Sequence, residues 1–244
     1  MKNVFLTVKE NVNIAPNVYK MELSGDVSAI TSPGQFVNIK IEGLYLRRPI
    51  SVCNVEGDVL TIIYKVVGKG TEIMAEMKNG AVLDVLVGLG NGYDLSVSGN
   101  APMLLGGGVG VPPLYYLARK LVEQGKKVKV VLGFNTSDEI FYEQEFKDLG
   151  CDVVVATADG SYGLKGFVTA AIEDGYSYFY TCGPEPMLKA VYKATNTSGQ
   201  FSFEERMGCG FGACMGCTCK TITGYKRICK DGPVIVKEDI LWED

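Results

Sequence analysis

The chain has 244 residues, of which 47% are hydrophobic, and a formal net charge of −4. This length and composition are sufficient for two modest domains with buried cores. The sequence has no basic block, which argues against a nucleic acid as partner, because phosphate binding requires clustered Lys and Arg. The chain also has no histidine. That excludes a mixed Cys–His zinc site, a Rieske cluster, a histidine-ligated haem and any Ser–His or Cys–His catalytic pair.

The hydropathy pattern and the N-terminal sequence bear on the compartment. No apolar run approaches the roughly 20 residues that a membrane span needs. The N-terminal sequence MKNVFLTVKENVNI lacks the hydrophobic block and the small-residue cleavage site of a signal peptide. We therefore expect a cytoplasmic protein with no membrane partner. Thiols stay reduced in the cytoplasm, where clustered cysteines more often bind metal than form disulfides.

Residues 1–98 have the pattern of a small all-β domain. Six short segments are rich in Val, Ile, Tyr and Phe, mostly alternate at period two, and are separated by Gly, Asn, Asp or Pro. Six such strands with only one short helix, TEIMAEMKN, predict an antiparallel six-stranded barrel. The six segments are VFLTVKE, NVYKMEL, GQFVNIKI, ISVCNV, VLTIIYKVV and AVLDVLV.

Two loops of this region contain residues suited to binding a nucleotide. The segment YLRRPISVCNV places Arg47, Arg48, Pro49 and Ser51 at the start of a strand. A cation and a hydroxyl beside a fixed proline suit a diphosphate and the edge of a ring, although the same residues are also common in ordinary turns. The segment IIYKVVGKGT adds a second glycine-bearing loop at residues 68–71.

Strands and helices alternate four times between residues 99 and 200, which predicts a parallel, Rossmann-like α/β domain with helices on both faces of the sheet. The change of pattern near residues 98–101 marks where this domain begins. The predicted strands are PMLLGGGVG, KVKVVLGF, CDVVVAT and YSYFYTCG, and the predicted helices are PPLYYLARKLVEQG, SDEIFYEQEFKDLG, GFVTAAIEDG and PEPMLKAVYKATN.

A glycine-rich loop joins the first strand of this domain to its first helix. In LLGGGVGVPPL, four glycines lie between residues 106 and 110. Glycine lets the backbone turn sharply and approach a ligand, and the free N–H groups of the next helix favour an anion such as a pyrophosphate. The spacing matches neither G-x-G-x-x-G nor a P-loop, so a tight turn without a ligand is the alternative. In parallel sheets ligands bind at the carboxyl ends of strands, where Cys182 and Gly183 of TCGPEPM also lie.

The segment after the second strand of this domain bears on the choice of dinucleotide. GFNTSDEIF contains no Arg or Lys to pair with a 2′-phosphate, and Asp138 and Glu139 disfavour one. This composition favours NAD over NADP. Alternatively, Ser137 or Asp138 only caps the helix that follows.

The last residues, 201–244, are rich in Gly and Cys and cannot bury a core of their own, so we expect a metal or a partner to order them. Cys209, Cys214 and Cys217 have the C-x4-C-x2-C spacing of a plant-type [2Fe–2S] site, which a more distant Cys completes. Glycines between them let the backbone fold closely around a cluster. Cys219 and Cys229 are the candidates for the fourth ligand. A structural zinc site with four thiolates is the alternative.

These motifs together resemble the ferredoxin–NADP reductase superfamily, and more narrowly the electron-transfer subunits of type B dihydroorotate dehydrogenase. RRPIS, YKVVGKGT, LLGGGVGVPPL, CGPEPML and ERMGCGFGACMGC…CKDGPV follow one another in the order of that family and cover nearly the whole chain. Much of the superfamily has Tyr where this chain has Ile50. The resemblance implies FAD, a [2Fe–2S] cluster and an NAD site in this chain.

The resemblance also implies which residues bind each group. Arg48, Pro49, Ile50 and Ser51 match the first flavin-binding segment, Ile63, Tyr64 and Lys65 the second, and Gly70 and Thr71 the third. Gly106, Gly107, Gly108, Val109, Gly110, Cys182, Gly183 and Pro184 match the nicotinamide side. The family's C-x-D-G-P motif makes Cys229 the fourth cluster ligand beside Cys209, Cys214 and Cys217, which leaves Cys219 as a spare thiol.

For function, the resemblance implies a chain that passes electrons from a separate FMN-containing catalytic subunit through the cluster and FAD to NAD⁺, in a heterotetramer of two chains of each kind. We expect the isolated chain to reduce dyes with NADH and not to oxidise dihydroorotate. Similar subunits of sulfide dehydrogenase or of bifurcating ferredoxin–NAD(P) reductases are the first alternative; their cluster sites include a carboxylate in place of one Cys. A zinc-stabilised nucleotide-binding interaction module is the second.

Overall fold

The computed structural model describes residues 1–242, which form a β-barrel, an α/β domain and a C-terminal segment packed between them. No helix within those residues has the length and apolar character required to cross a lipid bilayer. All eight cysteines are free thiols.

The barrel confirms the six-stranded antiparallel prediction. Its strands close in the order β1-β2-β5-β4-β3-β6. The period-two pattern of the sequence explains the barrel core, since in β6 the side chains of Leu83, Val85 and Val87 point inward and are buried while their neighbours are more exposed. The strands are β1 Lys2–Ala15, β2 Val18–Ser24, β3 Phe36–Ile39, β4 Arg48–Glu56, β5 Val59–Lys65 and β6 Val82–Leu89, with helix α1 Lys69–Ala75 after β5.

The α/β domain is built on a seven-stranded sheet in the order β10-β9-β8-β7-β11-β12-β15. The first six strands are parallel, as predicted, and β15 is antiparallel to β12. The strands are β7 Pro102–Gly107, β8 Lys129–Phe134, β9 Asp152–Thr157, β10 Leu164–Lys165, β11 Tyr178–Cys182, β12 Gly199–Ser202 and β15 Val234–Val236. Helices α2 Pro112–Glu123, α3 Glu143–Asp148 and α4 Glu185–Ala194 cover it.

Two of the four predicted helices of this domain are wrong in extent. The segment 137–150 forms only a 3₁₀ turn at Ser137–Glu139 and the short α3, because Ile140 is extended and Tyr142 is left-handed with φ 66°. The segment 166–175 forms only the 3₁₀ turn Val168–Ala171. β-Branched Val and Thr begin that turn and an extended Ile172 ends it, so no longer helix develops.

The C-terminal segment fills the junction between barrel and sheet. It forms a hairpin from β13 Thr218–Thr221 and β14 Gly224–Arg227 before it supplies β15 to the large sheet. Cys217, Ile228 and Cys229 are buried together with Phe36 of the barrel and Phe201 of the sheet. As the composition predicts, the segment has no core of its own and is ordered by burial against its neighbours.

Candidate functional site

The segments predicted to bind a flavin lie together on one side of the barrel. β4 carries Arg48–Ser51 and pairs with β5, which carries residues 63–65. The Arg48 side chain crosses to α1, where a Cβ on Gly70 would collide with its guanidinium, and its Nη1 donates to the Leu46 carbonyl. The Arg48 guanidinium therefore packs against the backbone at the start of the helix, and a cation at this place suits a diphosphate.

The remaining flavin candidates differ in what their side chains can contact. The hydroxyl of Tyr64 donates to Asn11 Oδ1 at 3.0 Å within the barrel, and burial raises the pKa of Tyr64. Thr71 Oγ1 accepts hydrogen bonds from the Val67 and Gly68 amides and so holds the loop before α1. Lys65 of the second stretch lines the cavity described next.

A cavity of about 540 Å³ opens at the carboxyl edge of the sheet, between the sheet and the barrel. Gly107–Gly110, Gly183 and Pro184 line it on the sheet side, and Pro16, Val18 and Lys65 line it on the barrel side. Gly106 and Cys182 lie one residue deeper, opposite each other in the β7–β11 register. The structure thus brings all the predicted nicotinamide residues to one edge, where parallel sheets bind ligands.

The glycine loop and the CGP turn touch through their backbones. A Cβ on Gly110 would lie 2.5 Å from the carbonyl carbon of Cys182 and 2.6 Å from the Cα of Gly183. A Cβ on Gly107 would lie 2.5 Å from Met187 Sδ. Glycine at these positions is what lets the two turns form one continuous floor of the cavity. Pro112 and Pro113 begin α2 directly behind this floor, as predicted.

The four predicted cluster cysteines lie close together in two pairs. Cys209 and Cys214 form the first pair, in which Cys209 Sγ accepts hydrogen bonds from the amides of Ala213 and Cys214 at 3.2 and 3.4 Å and interacts with the Cys214 thiol. Cys217 and Cys229 form the second, buried pair, with the Cys229 amide donating to Cys217 Sγ at 3.4 Å. Within residues 1–242 no three side chains of the metal-binding types are arranged to hold one metal ion. The charge of Cys209 nevertheless acts on Cys229, and four thiols in two neighbouring pairs have the number and type of ligands that a cluster with two irons needs.

One cysteine of each pair has a shifted pKa, and the two shifts have opposite directions. Burial raises the pKa of Cys209, but hydrogen bonds from the Cys214, Phe211 and Ala213 amides and from the Cys214 thiol outweigh it and hold the pKa at about 6. Burial, followed by the neighbouring Cys217, raises the pKa of Cys229 to about 12. Metal ligation requires thiolates, so binding of iron must displace a proton from Cys229, as is usual for cysteine ligands.

The fourth ligand predicted from the resemblance, Cys229, is the thiol that contacts Cys217. The hairpin explains this, because the Ile228 amide donates to the Cys217 carbonyl at 3.1 Å and so brings the next residue beside Cys217. Cys219 lies within β13, pairs with Lys226 across the hairpin, and makes no such contact with Cys217 Sγ.

The cluster loop and the flavin side meet at Asn38. This β3 residue is opposite Pro49 in the β3–β4 register, and its Nδ2 donates to the Cys209 carbonyl at 3.3 Å. Gly210, with φ 79°, leaves no room for a Cβ beside the Asn38 amide. The loop of the Cys209–Cys214 pair is therefore anchored directly on the strand that neighbours the first flavin segment.

Sequence reasoning gave no role to several residues of the cavity. Glu204, Phe167 and Met187 line it together with the predicted residues. Glu204 precedes the cysteine motif by only a few residues, and this closeness was the one feature of the sequence that could have marked it as a site residue. For Phe167, an aromatic side chain that is 69% exposed, no periodicity or motif marks the position.

Comparison with protein families identifies two parts of the chain. Residues 204–241 match the iron–sulfur cluster binding domain of dihydroorotate dehydrogenase B, and residues 104–193 match the oxidoreductase NAD-binding domain. The match that begins at residue 204 includes all four cysteines of the two pairs.

Individual relatives and one solved structure extend the similarity over the chain. The dihydroorotate dehydrogenase B (NAD(+)) electron transfer subunit of Fusobacterium nucleatum subsp. nucleatum is 47% identical over 98% of this chain and 99% of its own length. That of Bacillus pumilus is 46% identical over 98% of both chains. An NADH-dependent reduced ferredoxin–NADP oxidoreductase studied for flavin-based electron bifurcation superposes with a TM-score of 0.88 at 30% identity, over 97% of this chain and 90% of its own.

These findings confirm the expected fold and the expected cofactor set of FAD, a [2Fe–2S] cluster and NAD, while the residues assigned to each group stay predictions. They also imply a catalytic partner subunit. With near-complete coverage at more than 40% identity, this chain belongs to the family of dihydroorotate dehydrogenase B electron transfer subunits.

Proposed function

We propose that this chain passes electrons from a catalytic subunit, which oxidises dihydroorotate, to NAD⁺. The observation that carries the proposal is the grouping of Cys209, Cys214, Cys217 and Cys229 in two pairs, the first of which Asn38 holds beside the flavin segment. The dinucleotide cavity opens between the barrel and the sheet, and Lys65 of the second flavin segment lines it. When bound, a [2Fe–2S] cluster carries single electrons and NAD⁺ accepts a hydride, which carries two. FAD can exchange electrons one at a time or as a hydride.

The site residues are proposed as predicted. For FAD they are Arg48, Pro49, Ile50, Ser51, Ile63, Tyr64, Lys65, Gly70 and Thr71; for NAD, Gly106, Gly107, Gly108, Val109, Gly110, Cys182, Gly183 and Pro184; and for the cluster, Cys209, Cys214, Cys217 and Cys229. The corresponding division of the chain is 1–98 for FAD, 99–200 for NAD and 201–244 for the cluster, although β12 crosses the second boundary.

Residues of this chain bind the two nucleotides, position the cluster thiols and shield the cluster site from water. Arg48 supplies a cation for a diphosphate, and the apposed turns at Gly110 and Gly183 give the dinucleotide a close approach to backbone. The Ala213 and Cys214 amides stabilise the thiolate of Cys209. Burial of Cys217 and Cys229 keeps water from one side of the cluster site.

The catalytic partner is proposed to carry FMN, in an assembly of two chains of each kind located in the cytoplasm. The Cys209–Cys214 pair faces outward, since Cys214 is exposed, and exposed apolar side chains of Phe211 and Met215 surround it. An electron carrier needs a short route to its donor, so this face is where the partner docks.

A reconstitution experiment tests the proposal. The chain is co-expressed with the catalytic subunit, and dihydroorotate-dependent NAD⁺ reduction is measured for the complex and for each subunit alone. We expect turnover only in the complex, together with NADH:dye reductase activity of the isolated chain, and the mass of the complex reports its stoichiometry. Dihydroorotate oxidation by the pure chain would contradict the proposal.

A second candidate function rests on the solved structure described above, which is similar to this chain over nearly its whole length. In that case the chain would serve a bifurcating reductase that exchanges electrons with ferredoxin. Isolation of the native complex separates the two functions, because each requires a different partner subunit.

A further inference from the structure

The outer face of β3 lies beside both pairs of cluster thiols. Side chains alternate along this strand, so Val37 and Ile39 point into the barrel core while Phe36 and Asn38 face the C-terminal segment. Phe36 belongs to the same buried cluster of side chains as the second thiol pair. Asn38 reaches the first pair through its hydrogen bond to the Cys209 carbonyl. One strand of the barrel therefore supports both pairs.

The first flavin segment is the direct neighbour of β3 in the barrel. Phe36 is opposite Ser51 and Asn38 is opposite Pro49 in the β3–β4 register. Neighbouring strands of a sheet lie about 4.8 Å apart. A shift of the cysteine loop along β3 is therefore also a shift relative to the proposed FAD site.

The Asn38 amide is buried but only half satisfied. The residue is 1% exposed. Its Nδ2 donates to the Cys209 carbonyl, whereas no donor among residues 1–242 reaches its Oδ1. The residues opposite Asn38 on the two adjacent strands, Pro49 and Leu86, have no polar side-chain atoms. An unpaired buried acceptor destabilises a protein, so an apolar side chain would suit the barrel at least as well, and the contribution of Asn38 must lie in its contact with the loop.

That contact joins the cysteine loop, residues 208–216, to the barrel. Gly210 has φ 79°, and a Cβ on it would lie 2.3 Å from Asn38 Nδ2, so the amide packs directly on the loop backbone. In the described part of the chain, two side chains from outside the loop donate hydrogen bonds to it. Arg227 Nη1 donates to the Gly212 carbonyl at 2.9 Å and ties the loop to the hairpin of its own segment. Asn38 is the one that ties it to the barrel.

We propose that Asn38 is a positioning residue that holds the cysteine loop at one place on the barrel and thereby sets the separation between the cluster site and the FAD site. Electron transfer between two centres slows steeply as their separation grows, so a loop that moves on β3 would pass electrons less efficiently. The fixed loop offsets the stability that the unpaired Oδ1 costs. The inference rests on the proposed function, which puts a cluster at the four cysteines and FAD at β4.

The test compares Asn38→Leu with a matched control, Asn54→Leu, in the chain isolated without oxygen with its FAD and cluster. Asn54 Oδ1 is likewise buried and unpaired within residues 1–242, but this residue is opposite Thr61 of β5 and lies beyond the part of β4 that pairs with β3. Three quantities are measured: the Tm, the hydrogen exchange of the loop amides, and the rates of flavin reduction and cluster bleaching after rapid mixing with NADH.

We expect Asn38→Leu to keep or raise its Tm, because the change removes an unpaired acceptor from apolar surroundings. The amides of residues 208–216 should exchange about fivefold faster, the effect of one lost hydrogen bond on a local opening. Cluster bleaching should slow while flavin reduction keeps its rate, and Asn54→Leu should change neither. Asn38→Ala, which has less bulk beside Gly210, should repeat the result. Loss of the cluster from both Asn38 variants, with FAD retained, would be a stronger form of it.

Two outcomes overturn the inference. Loop exchange and cluster bleaching that match the Asn54→Leu control would show that the Asn38 hydrogen bond does not position the loop. A lower Tm, with exchange raised equally throughout the barrel, would show that Asn38 only stabilises the fold. Both outcomes refute the role of Asn38 alone, provided that the unmodified chain contains FAD and a cluster. An unmodified chain without acid-labile sulfide would instead show that the proposed cluster site is wrong.

Discussion

Replacing Gly110 with alanine tests whether the glycine loop and the CGP turn build the dinucleotide site. Gly110 ends a 3₁₀ turn between β7 and α2. The added Cβ would lie 2.5 Å from the carbonyl carbon of Cys182 and 2.6 Å from the Cα of Gly183. Both are backbone atoms, so no change of rotamer can relieve the contact.

The size of the effect follows from that distance. An ordinary carbon–carbon contact is about 3.5 Å, so one of the two turns must move by about 1 Å. Overpacking of this kind costs about 1–3 kcal/mol of stability. A displacement of about 1 Å in a group that positions a reacting ligand lowers turnover by about 100-fold. We therefore expect Gly110→Ala to fold, with a lower Tm, and to lose most of its kcat/KM for NADH.

The assay is NADH:dye reductase activity of the FAD-loaded chain, with Tm and FAD content measured on the same samples. Gly125→Ala is the matched control. Gly125 follows α2 with φ 76°, and a Cβ there meets nothing within 4 Å, so the change costs about 1 kcal/mol of backbone strain far from the cavity. The control should lose stability and keep its kcat/KM. A folded Gly110→Ala chain with kcat/KM within about threefold of the unmodified chain would refute the reasoning.

Three further predictions concern the cluster, the flavin and the hairpin. Cys229→Ser should lose its iron and acid-labile sulfide on analysis, whereas Cys219→Ser should keep both; retention of a full cluster in Cys229→Ser would exclude it as a ligand. Arg48→Ala should weaken FAD binding about 10- to 100-fold in a fluorescence titration of the flavin-free chain, and unchanged affinity would remove Arg48 from the site. Although burial raises the pKa of Asp239, hydrogen bonds from Lys226 and Thr223 lower it to about 2. Its contribution, about 1–2 kcal/mol, should therefore be complete above about pH 4 and lost as pH falls toward 2. Acid unfolding of Asp239→Asn should lack this component.

The barrel could be predicted from the sequence because the alternation of apolar and polar residues that defines each strand is a local pattern. Alternation along β6, with Leu83, Val85 and Val87 buried, gives the inner face without knowledge of the other strands. The helix predicted over residues 166–175 failed for the opposite reason. Val168 and Ala171 bury themselves with a single 3₁₀ turn, and the extended Ile172 then leads toward β11, an arrangement set by the sheet and not by the segment itself.

The sites likewise combine features that local sequence patterns predict with features that only the tertiary fold determines. Cysteine spacing predicted three cluster thiols and the resemblance predicted the fourth, but their division into pairs depends on the hydrogen bond that brings Ile228 to Cys217. The place of Glu204 in the cavity depends on the sheet order, which puts the end of β12 beside β11 although α4 separates these strands in the chain. The spacing of residues along the sequence does not reveal that β11 and β12 are neighbours in the sheet.

The central claim is that one chain holds an iron–sulfur cluster and FAD next to each other. Anaerobic isolation followed by analysis of iron, acid-labile sulfide and flavin tests it most directly. The expected content is about two irons, two sulfides and one FAD per chain. A protein that contains zinc and no acid-labile sulfide would contradict the account.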